Sequence, residues 1–264
     1  MKVVVFANPS RYPMAPIFKF IIACCVIVCL PAQSERDTSR DQFRHPFETL
    51  DFFGIKADMD VLEISPGGGW YTDVIAPSIK GTLYAGHFNP ENGDYFKRSH
   101  DRYLKKIESD PKLYGNVKIT VFDAGKEILS VENESVDAVL TFRNVHGWIR
   151  SNSESNAFAL FYKALKPGGV LGLVQHRAKP GVSVESMGKT GYVSQEYVVG
   201  LANKAGFVLE ASSEINANAL DTKDHPKGVW TLPPSLRLGD ENRAFYTSIG
   251  ESDRMTLRFR KPQI

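Results

Sequence analysis

The chain has 264 residues, of which 42% are hydrophobic and 23% are charged, so it can form one large domain or at most two. Its formal net charge is +2, but residues 1–34 hold three basic side chains and no acidic one. Subtracting those three from the 32 lysines and arginines leaves 29 basic against 30 acidic side chains. The sequence shows no basic run that would follow a phosphate backbone, so we expect no nucleic-acid partner.

The first 34 residues have the pattern of a signal peptide. Basic residues precede an apolar run from Phe20 to Leu30, and small residues follow it. The run is shorter than the roughly 20 residues of a membrane span. We therefore expect a periplasmic or secreted protein. An uncleaved amino-terminal anchor is the main alternative, and it is the only route by which we expect contact with a membrane, if there is any. Met14 is an alternative start that would make this segment more typical.

The three cysteines, Cys24, Cys25 and Cys29, all lie inside this segment. A processed chain would therefore have no disulfide, thiol nucleophile or cysteine metal ligand. The sequence also shows no HxxxH or clustered His/Asp pattern for a metal and no GxSxG of a serine hydrolase.

Beyond this segment, the chain is polar and charged from Glu35 to Gln42, which predicts a linker over residues 35–45, and residues 46–264 predict one domain. A helix is expected from Pro46 to Phe53, with Gly54 ending it. Helices alternate with apolar strands in the rest of the chain. The predicted strands are Val61–Ile64, Thr82–Ala85, Val117–Phe122, Val136–Phe142, Val170–Gln175, Phe207–Ala211 and Met255–Phe259. The clearest predicted helices are Trp70–Ile79, Tyr95–Glu108, the segment around Ala157–Leu165, and Gln195–Ala205.

This alternation predicts an α/β fold with a doubly wound, mostly parallel seven-stranded sheet and helices on both faces. The last two strands have no clear helix between them, because residues 215–250 form an insertion with Pro, Asn and Gly. We therefore expect the last strand to be antiparallel, paired with its predecessor at one end of the sheet.

The stretch VLEISPGGGW predicts a binding site at the end of the first strand. Gly67, Gly68 and Gly69 form a turn without side chains, so a ligand can approach the backbone and the following helix amides. Glu63 lies just before the turn. In the dinucleotide pattern GxGxxG, Thr72 would occupy the place of the third glycine, which disfavours a nicotinamide enzyme.

The same stretch resembles the first motif, (D/E)xGxGxG, of class I S-adenosylmethionine-dependent methyltransferases. Glu63, Gly67 and Gly69 match, and Ser65 replaces the first glycine. ALKPGGVL is similar to a turn before the fifth strand of that family, and GESDRMTLRFRKP looks like the closing strand of a secreted, little-characterised branch. The resemblance covers about residues 46–264. It implies S-adenosylmethionine as the cofactor, with Asp123 meeting the adenine amino group.

One departure from the family lies after the second strand. An acidic residue there usually holds the ribose hydroxyls, but this chain has the sequence GHFNP. Asn89 is the replacement we predict as a cofactor contact, with His87 and Glu91 as alternatives.

The fourth strand is followed by Arg143, Asn144 and His146, which we predict as the catalytic residues. They come at the carboxyl edge of the sheet, where ligands of such folds bind. His146 can take a proton from an acceptor, or it can serve only to hydrogen-bond the loop backbone. The resemblance implies methyl transfer to a small-molecule or protein acceptor. The alternatives are a non-catalytic binding protein with the same fold and, less favoured, a nicotinamide oxidoreductase.

Overall fold

The structure is a computed structural model that describes residues 36–263. The segment predicted as a signal peptide, with its three cysteines, lies outside the described residues. The helices are α1 (Asp41–Arg44), α2 (Pro46–Phe53), α3 (Thr72–Ser78), α4 (Asp94–Ser109), α5 (Pro111–Tyr114), α6 (Val145–Arg150), α7 (Glu154–Ala164), α8 (Val184–Thr190), α9 (Gln195–Ala205) and α10 (Arg243–Ile249). The strands are β1 (Val61–Ile64), β2 (Leu83–Phe88), β3 (Val117–Asp123), β4 (Ile128–Leu129), β5 (Val136–Phe142), β6 (Leu165–His176), β7 (Val208–Ser213) and β8 (Arg254–Arg260).

The strands form one sheet in the order β4-β3-β2-β1-β5-β6-β8-β7. Strands β3, β2, β1, β5 and β6 are parallel, whereas β8 is antiparallel to both β6 and β7. The predicted antiparallel pairing of the last two strands is therefore confirmed. The sheet has eight strands rather than the predicted seven, because Ile128 and Leu129 pair antiparallel with the end of β3. Two residues are too few for a sequence pattern to reveal a strand.

Apolar side chains pack on both faces of the sheet, as the doubly wound prediction requires. Helices α6, α7, α8 and α9 cover one face, where Phe158 and Phe161 are fully buried. Helices α2, α3 and α5 cover the other, where Phe53 and Ile75 are fully buried. Strand β5 contributes to both clusters because its successive side chains point to opposite faces.

Several boundaries differ from the predicted ones. Strand β2 continues to Phe88, because His87 is buried and pairs with Val121 of β3. Helix α3 begins at Thr72 rather than Trp70, since the glycine turn extends to Tyr71. The insertion between the last two strands contains α10 and a 3-10 turn at Gly228–Thr231. Val229 of the 3-10 turn packs on Ala178 and Tyr192, whereas α10 packs on Leu232 within the insertion. Neither element carries a long periodic pattern.

The range predicted as a linker contains α1 and contacts the segment just before β8. Arg40 and Arg44 both pair with Glu251, just before β8. The residues from Arg36 onward thus belong to the same compact unit as the sheet. Among the described residues, no helix combines the length and apolar character that a membrane crossing requires.

Helix α2 supplies a test of how the sheet face is sealed. Phe53 is fully buried and lies so close to Gly172 of β6 that a Cβ there would be 2.6 Å from its ring. We expect Phe53→Ala to lower the free energy of unfolding by about 3–5 kcal/mol, because it leaves a cavity over β6. Phe47→Ala, on the same helix but 56% exposed, should cost well under about 1 kcal/mol. Urea unfolding of both variants measures the difference, and equal losses would contradict this packing.

Candidate functional site

A cavity of about 620 Å³ opens at the carboxyl ends of β1 and β5. Strand β1 pairs with β2 on one side and with β5 on the other, so the sheet changes winding direction here. Ligands of doubly wound sheets bind at such a switch point. Six of the predicted site residues line the cavity, namely Glu63, Ser65, Gly67, Arg143, Asn144 and His146.

The glycine turn forms one wall of this cavity. Gly67 has a φ of +61°, and a Cβ added to it would meet no atom within 4 Å, so its side faces open space. Gly69 also has a positive φ, but a Cβ there would lie 3.0 Å from the ring of Tyr103 on α4. Gly67 therefore leaves backbone open to a ligand, whereas the structure places Gly69 against α4 and away from the cavity.

The opposite side of the same turn faces a second cavity of about 450 Å³. Its wall is made by Gly67 and Gly68 together with Ser99, Arg102 and Tyr103 of α4. The side-chain-free turn is thus shared by two cavities, one toward β5 and one toward α4.

Glu63 is buried behind the turn, with 1% of its surface exposed. Its Oε2 accepts a hydrogen bond of 2.6 Å from the Thr72 hydroxyl, which lies 3.0 Å from the Tyr103 hydroxyl. Burial raises the pKa of Glu63 to about 7, although the Thr72 hydrogen bond opposes the shift. Thr72, in the place of the third glycine of a dinucleotide motif, thus positions the carboxyl group.

The predicted contacts after β2 and β3 lie outside the main cavity. Asn89 is buried and its Oδ1 accepts a hydrogen bond from the Glu91 amide, as the cap of a 3-10 turn. Asp123 accepts hydrogen bonds from the Lys126 amide at 3.2 Å and from the Asn92 side-chain amide at 2.8 Å. The Asn92–Asp123 bond joins the loops after the two strands.

His87 lies near the usual place of the ribose-binding acid and is fully buried. Its Nε2 is 3.2 Å from the carbonyl oxygen of Gly67, and its ring packs against Tyr103 with centroids 4.8 Å apart. Burial lowers the pKa of His87 to about 4, so the imidazole is neutral at physiological pH. The His87 side chain therefore stabilises the glycine turn through the carbonyl group of Gly67.

The loop after β5 places two polar side chains differently. Asn144 donates from Nδ2 to the carbonyl oxygen of Ile64 at 3.0 Å and to the Thr141 hydroxyl at 3.1 Å. It thereby ties the ends of β1 and β5 together. Arg143 has a left-handed backbone with a φ of +65°, and its guanidinium lies 5.8 Å from the ring of Tyr71.

His146 also lines the cavity, and its hydrogen bond fixes its tautomer. The Gln175 amide is oriented by two backbone groups, with Oε1 accepting from Val145 N and Nε2 donating to Gly191 O. That same Nε2 lies 3.3 Å from His146 Nδ1, so Nδ1 accepts and the proton is on Nε2. Burial, followed by the charges of Arg150 and Arg143, lowers the pKa of His146 to about 4. The ring is therefore a neutral donor through Nε2.

The sequence analysis did not identify the basic side of the cavity. Arg40, Arg44 and Arg254 line it together with Glu251, whose carboxylate pairs with all three arginines. Although burial acts to raise the pKa of Glu251, the charges of Arg254 and Arg44 hold it at about 2. Arg40 and Arg44 lie more than 200 positions before Glu251 in the sequence, so only the tertiary fold brings them to it. The one local signal was the cluster of charged residues in GESDR before the last strand.

Among the described residues, no group of three or more His, Cys, Asp or Glu side chains is arranged to hold a metal ion.

The buried Glu63 makes the stability depend on pH. Its pKa is about 7 in the folded state and 4.5 unfolded, so the folded state keeps a proton that the unfolded state releases between these values. Ionisation of Glu63 should therefore lower the stability as the pH rises from 4.5 to 7, by up to about 1.4 kcal/mol per pH unit. His87 and His146, whose pKa values are lowered to about 4, act in the opposite direction below pH 6.5, because the unfolded state holds protons there that the folded state does not. Glu63→Gln removes only the Glu63 titration, so its stability should rise more steeply with pH than that of the wild type.

Urea unfolding across this pH window measures the slope. The exposed Glu185 has a lowered pKa because Lys189 donates a hydrogen bond to it, so Glu185→Gln should keep the wild-type pH dependence across this window. An unchanged slope in Glu63→Gln would show that the carboxyl group is ionised in the fold.

Comparison with protein-family models and with curated protein sequences gives no match. Solved structures do share the fold. A SAM-dependent methyltransferase from Aquifex aeolicus has a TM-score of 0.57 and 15% identity, over 86% of this chain and 94% of that one. The 4+2 cyclase SpnF has a TM-score of 0.59 and 14% identity, over 84% of this chain and 81% of that one.

A third structure is the phosphoethanolamine N-methyltransferase 2 of Haemonchus contortus, bound to phosphomonomethylethanolamine and S-adenosylhomocysteine. It has a TM-score of 0.55 and 17% identity, over 84% of this chain and 53% of that one. At these identities the likeness concerns the architecture. The chain has the Rossmann-like α/β fold that is found in S-adenosylmethionine-dependent methyltransferases.

Proposed function

We propose that the protein is an S-adenosylmethionine-dependent methyltransferase that acts on a small-molecule or protein acceptor. One observation carries this proposal: the open backbone at Gly67 lies at the switch point of the sheet, in front of the buried Glu63. This is where the fold binds ligands, and several structures with this fold are methyltransferases.

The residues around the turn fit such a cofactor. The Ser65 hydroxyl is buried without a hydrogen-bond partner among the described residues, and it is available to the amino-acid end of the cofactor. Asp123 already accepts from the Asn92 amide, a donor of the same kind as an adenine amino group. Two cavities that meet at the turn suit an elongated ligand. When bound, S-adenosylmethionine supplies a methyl group activated by a sulfonium.

The protein's own work is then to position the acceptor and exclude water. The rings of Tyr71 and Phe142 stack with centroids 3.5 Å apart and form an apolar part of the cavity wall. His146 is a neutral donor through Nε2, so in this state it orients a lone pair of the acceptor and does not take a proton at that atom. An acceptor that already carries a free lone pair at neutral pH suits this site, because it needs no strong base.

A binding protein without transfer activity is the second candidate. His87 stands near the place of the ribose-binding acid, and its ring is packed under the turn rather than aimed at a ligand. The cyclase SpnF also has this fold, so the fold alone does not fix the reaction. A nicotinamide enzyme is less favoured, because Thr72 fills the third glycine place and is engaged by Glu63.

Calorimetric titration of the full chain with S-adenosylmethionine, S-adenosylhomocysteine and NAD separates these candidates. We expect the first two to bind and NAD not to bind. Incubation of cell extracts with the protein and cofactor labelled in the methyl group then tests transfer. Binding without labelled product would favour the non-catalytic candidate, and binding of NAD alone would refute the proposal.

Gly67→Ala tests the position of the cofactor. The added methyl group would occupy the open space at the turn, so we expect the affinity for S-adenosylhomocysteine to fall at least about tenfold. Gly181→Ala is the matched control, because Gly181 also has a positive φ and open space around it but does not line either cavity. Calorimetry of both variants gives the comparison. Equal affinity in the two would place the cofactor elsewhere.

A further inference from the structure

One wall of the 620 Å³ cavity carries a surplus of positive charge. We call Arg40, Arg44, Arg143 and Arg254 the arginine wall, because all four line the cavity near Glu251. Glu251 is the carboxylate that pairs with three of them. The wall therefore has four guanidinium groups for one carboxylate.

The other acidic side chains of the cavity are engaged elsewhere. Asp73 pairs with Lys106 at 2.7 Å, and Glu63 accepts from the Thr72 hydroxyl. Asp37 accepts hydrogen bonds from both the amide and the hydroxyl of Ser39. None of these contacts neutralises the arginine wall, so the wall keeps its surplus of positive charge.

Three guanidinium nitrogens of the wall are buried without a hydrogen-bond partner among the described residues. They are Nη1 of Arg44, Nε of Arg254 and Nη1 of Arg143. Arg44 and Arg254 are each only 2% exposed. A buried donor without a partner costs free energy, and a guanidinium donates most favourably to carboxylate or phosphate oxygens.

The pKa values and the backbone of the wall reflect this unfavourable burial. Burial, followed by the charge of Arg143, lowers the pKa of Arg44 to about 8. Burial, followed by the charge of Arg254, lowers the pKa of Arg143 to about 10. Arg143 also keeps a left-handed backbone, which is unfavourable for its side chain. Strain and unpaired charge of this kind concentrate where ligands bind.

The sheet order places Arg143 and Arg254 of the wall on the side of β1 that faces away from β2 and β3. Arg254 begins β8, which is three strand positions from β1, or about 14 Å at the usual strand spacing. Asn89 follows β2 and Asp123 ends β3, on the opposite side of β1. A cofactor that extends from the turn toward those two strands leaves the arginine wall to the second substrate.

We propose that the arginine wall binds an oxyanion, a carboxylate or phosphate group, carried by the methyl acceptor. This inference rests on the methyltransferase function proposed above. The wall would select acidic acceptors and hold the anionic group at a fixed distance from the atom to be methylated. Arg143 is the clearest member, because its Nη1 is unpaired and removing its charge breaks no ion pair with Glu251.

The test is a calorimetric titration of inorganic phosphate into the full chain saturated with S-adenosylhomocysteine, at constant ionic strength. We expect one phosphate site, weakened at least about tenfold in Arg143→Gln and in Arg44→Gln. Arg98→Gln, an exposed arginine on α4, is the matched control and should bind phosphate as the wild type does. Arg143→Gln should also raise the melting temperature, because it removes a buried unpaired charge, so lost binding would not be mistaken for unfolding.

The cofactor has a carboxylate of its own, and a second arm separates that source. The affinities of Arg143→Gln for S-adenosylmethionine and for its decarboxylated form are compared. If the variant loses affinity for the first only, and S-adenosylhomocysteine displaces phosphate, the wall binds the cofactor and the inference is overturned. It is also overturned if the wild type binds cofactor but no phosphate. If no cofactor binds, the proposed function is refuted. In that case, titration of phosphate without cofactor still tests whether the arginine wall binds an anion.

Discussion

The parallel pairing of β1 with both β2 and β5 is the constraint from which the site follows. Because the sheet winds outward in both directions from β1, the described crossover connections leave a cavity at the carboxyl end of that strand. Asn144 then fixes the opening by bonding the last carbonyl of β1 from the loop after β5. Gly67 keeps the opening free of side chains. The cavity thus follows primarily from the strand order, and only secondarily from particular side chains.

Around this opening, buried polar groups serve two different purposes. Glu63, Thr72 and Tyr103 form a hydrogen-bonded line that supports the turn from the α4 side. Glu251 gathers arginines from both ends of the chain on the β8 side, and it leaves some of their donors unpaired. The members of the first set bond to one another and act as a scaffold. The second set contains buried donors without a hydrogen-bond partner among the described residues, and we attribute these donors to a surface that binds a ligand.

The sequence predicted the parts of the fold that have a regular period. Strand β5 and helix α9 lie at the predicted residues, because a long apolar run and a capped amphipathic stretch are unambiguous. It did not predict β4 or α10, which are too short for periodicity. For the site, the glycine turn located the cavity, since a backbone requirement is written in consecutive residues. Arg44 and Glu251 were not identified, because an ion pair between distant positions leaves no local pattern.

The contact of α1 with Glu251 bears on where a recombinant chain can begin. A shortened protein starting at Pro46 would keep every strand of the sheet and the whole glycine turn. It would nevertheless lose two of the three cations that neutralise a carboxylate buried to 97%, since Glu251 is 3% exposed. The ten residues before Pro46 are therefore better regarded as an integral piece of the domain, and shortened proteins intended for crystallisation should retain them.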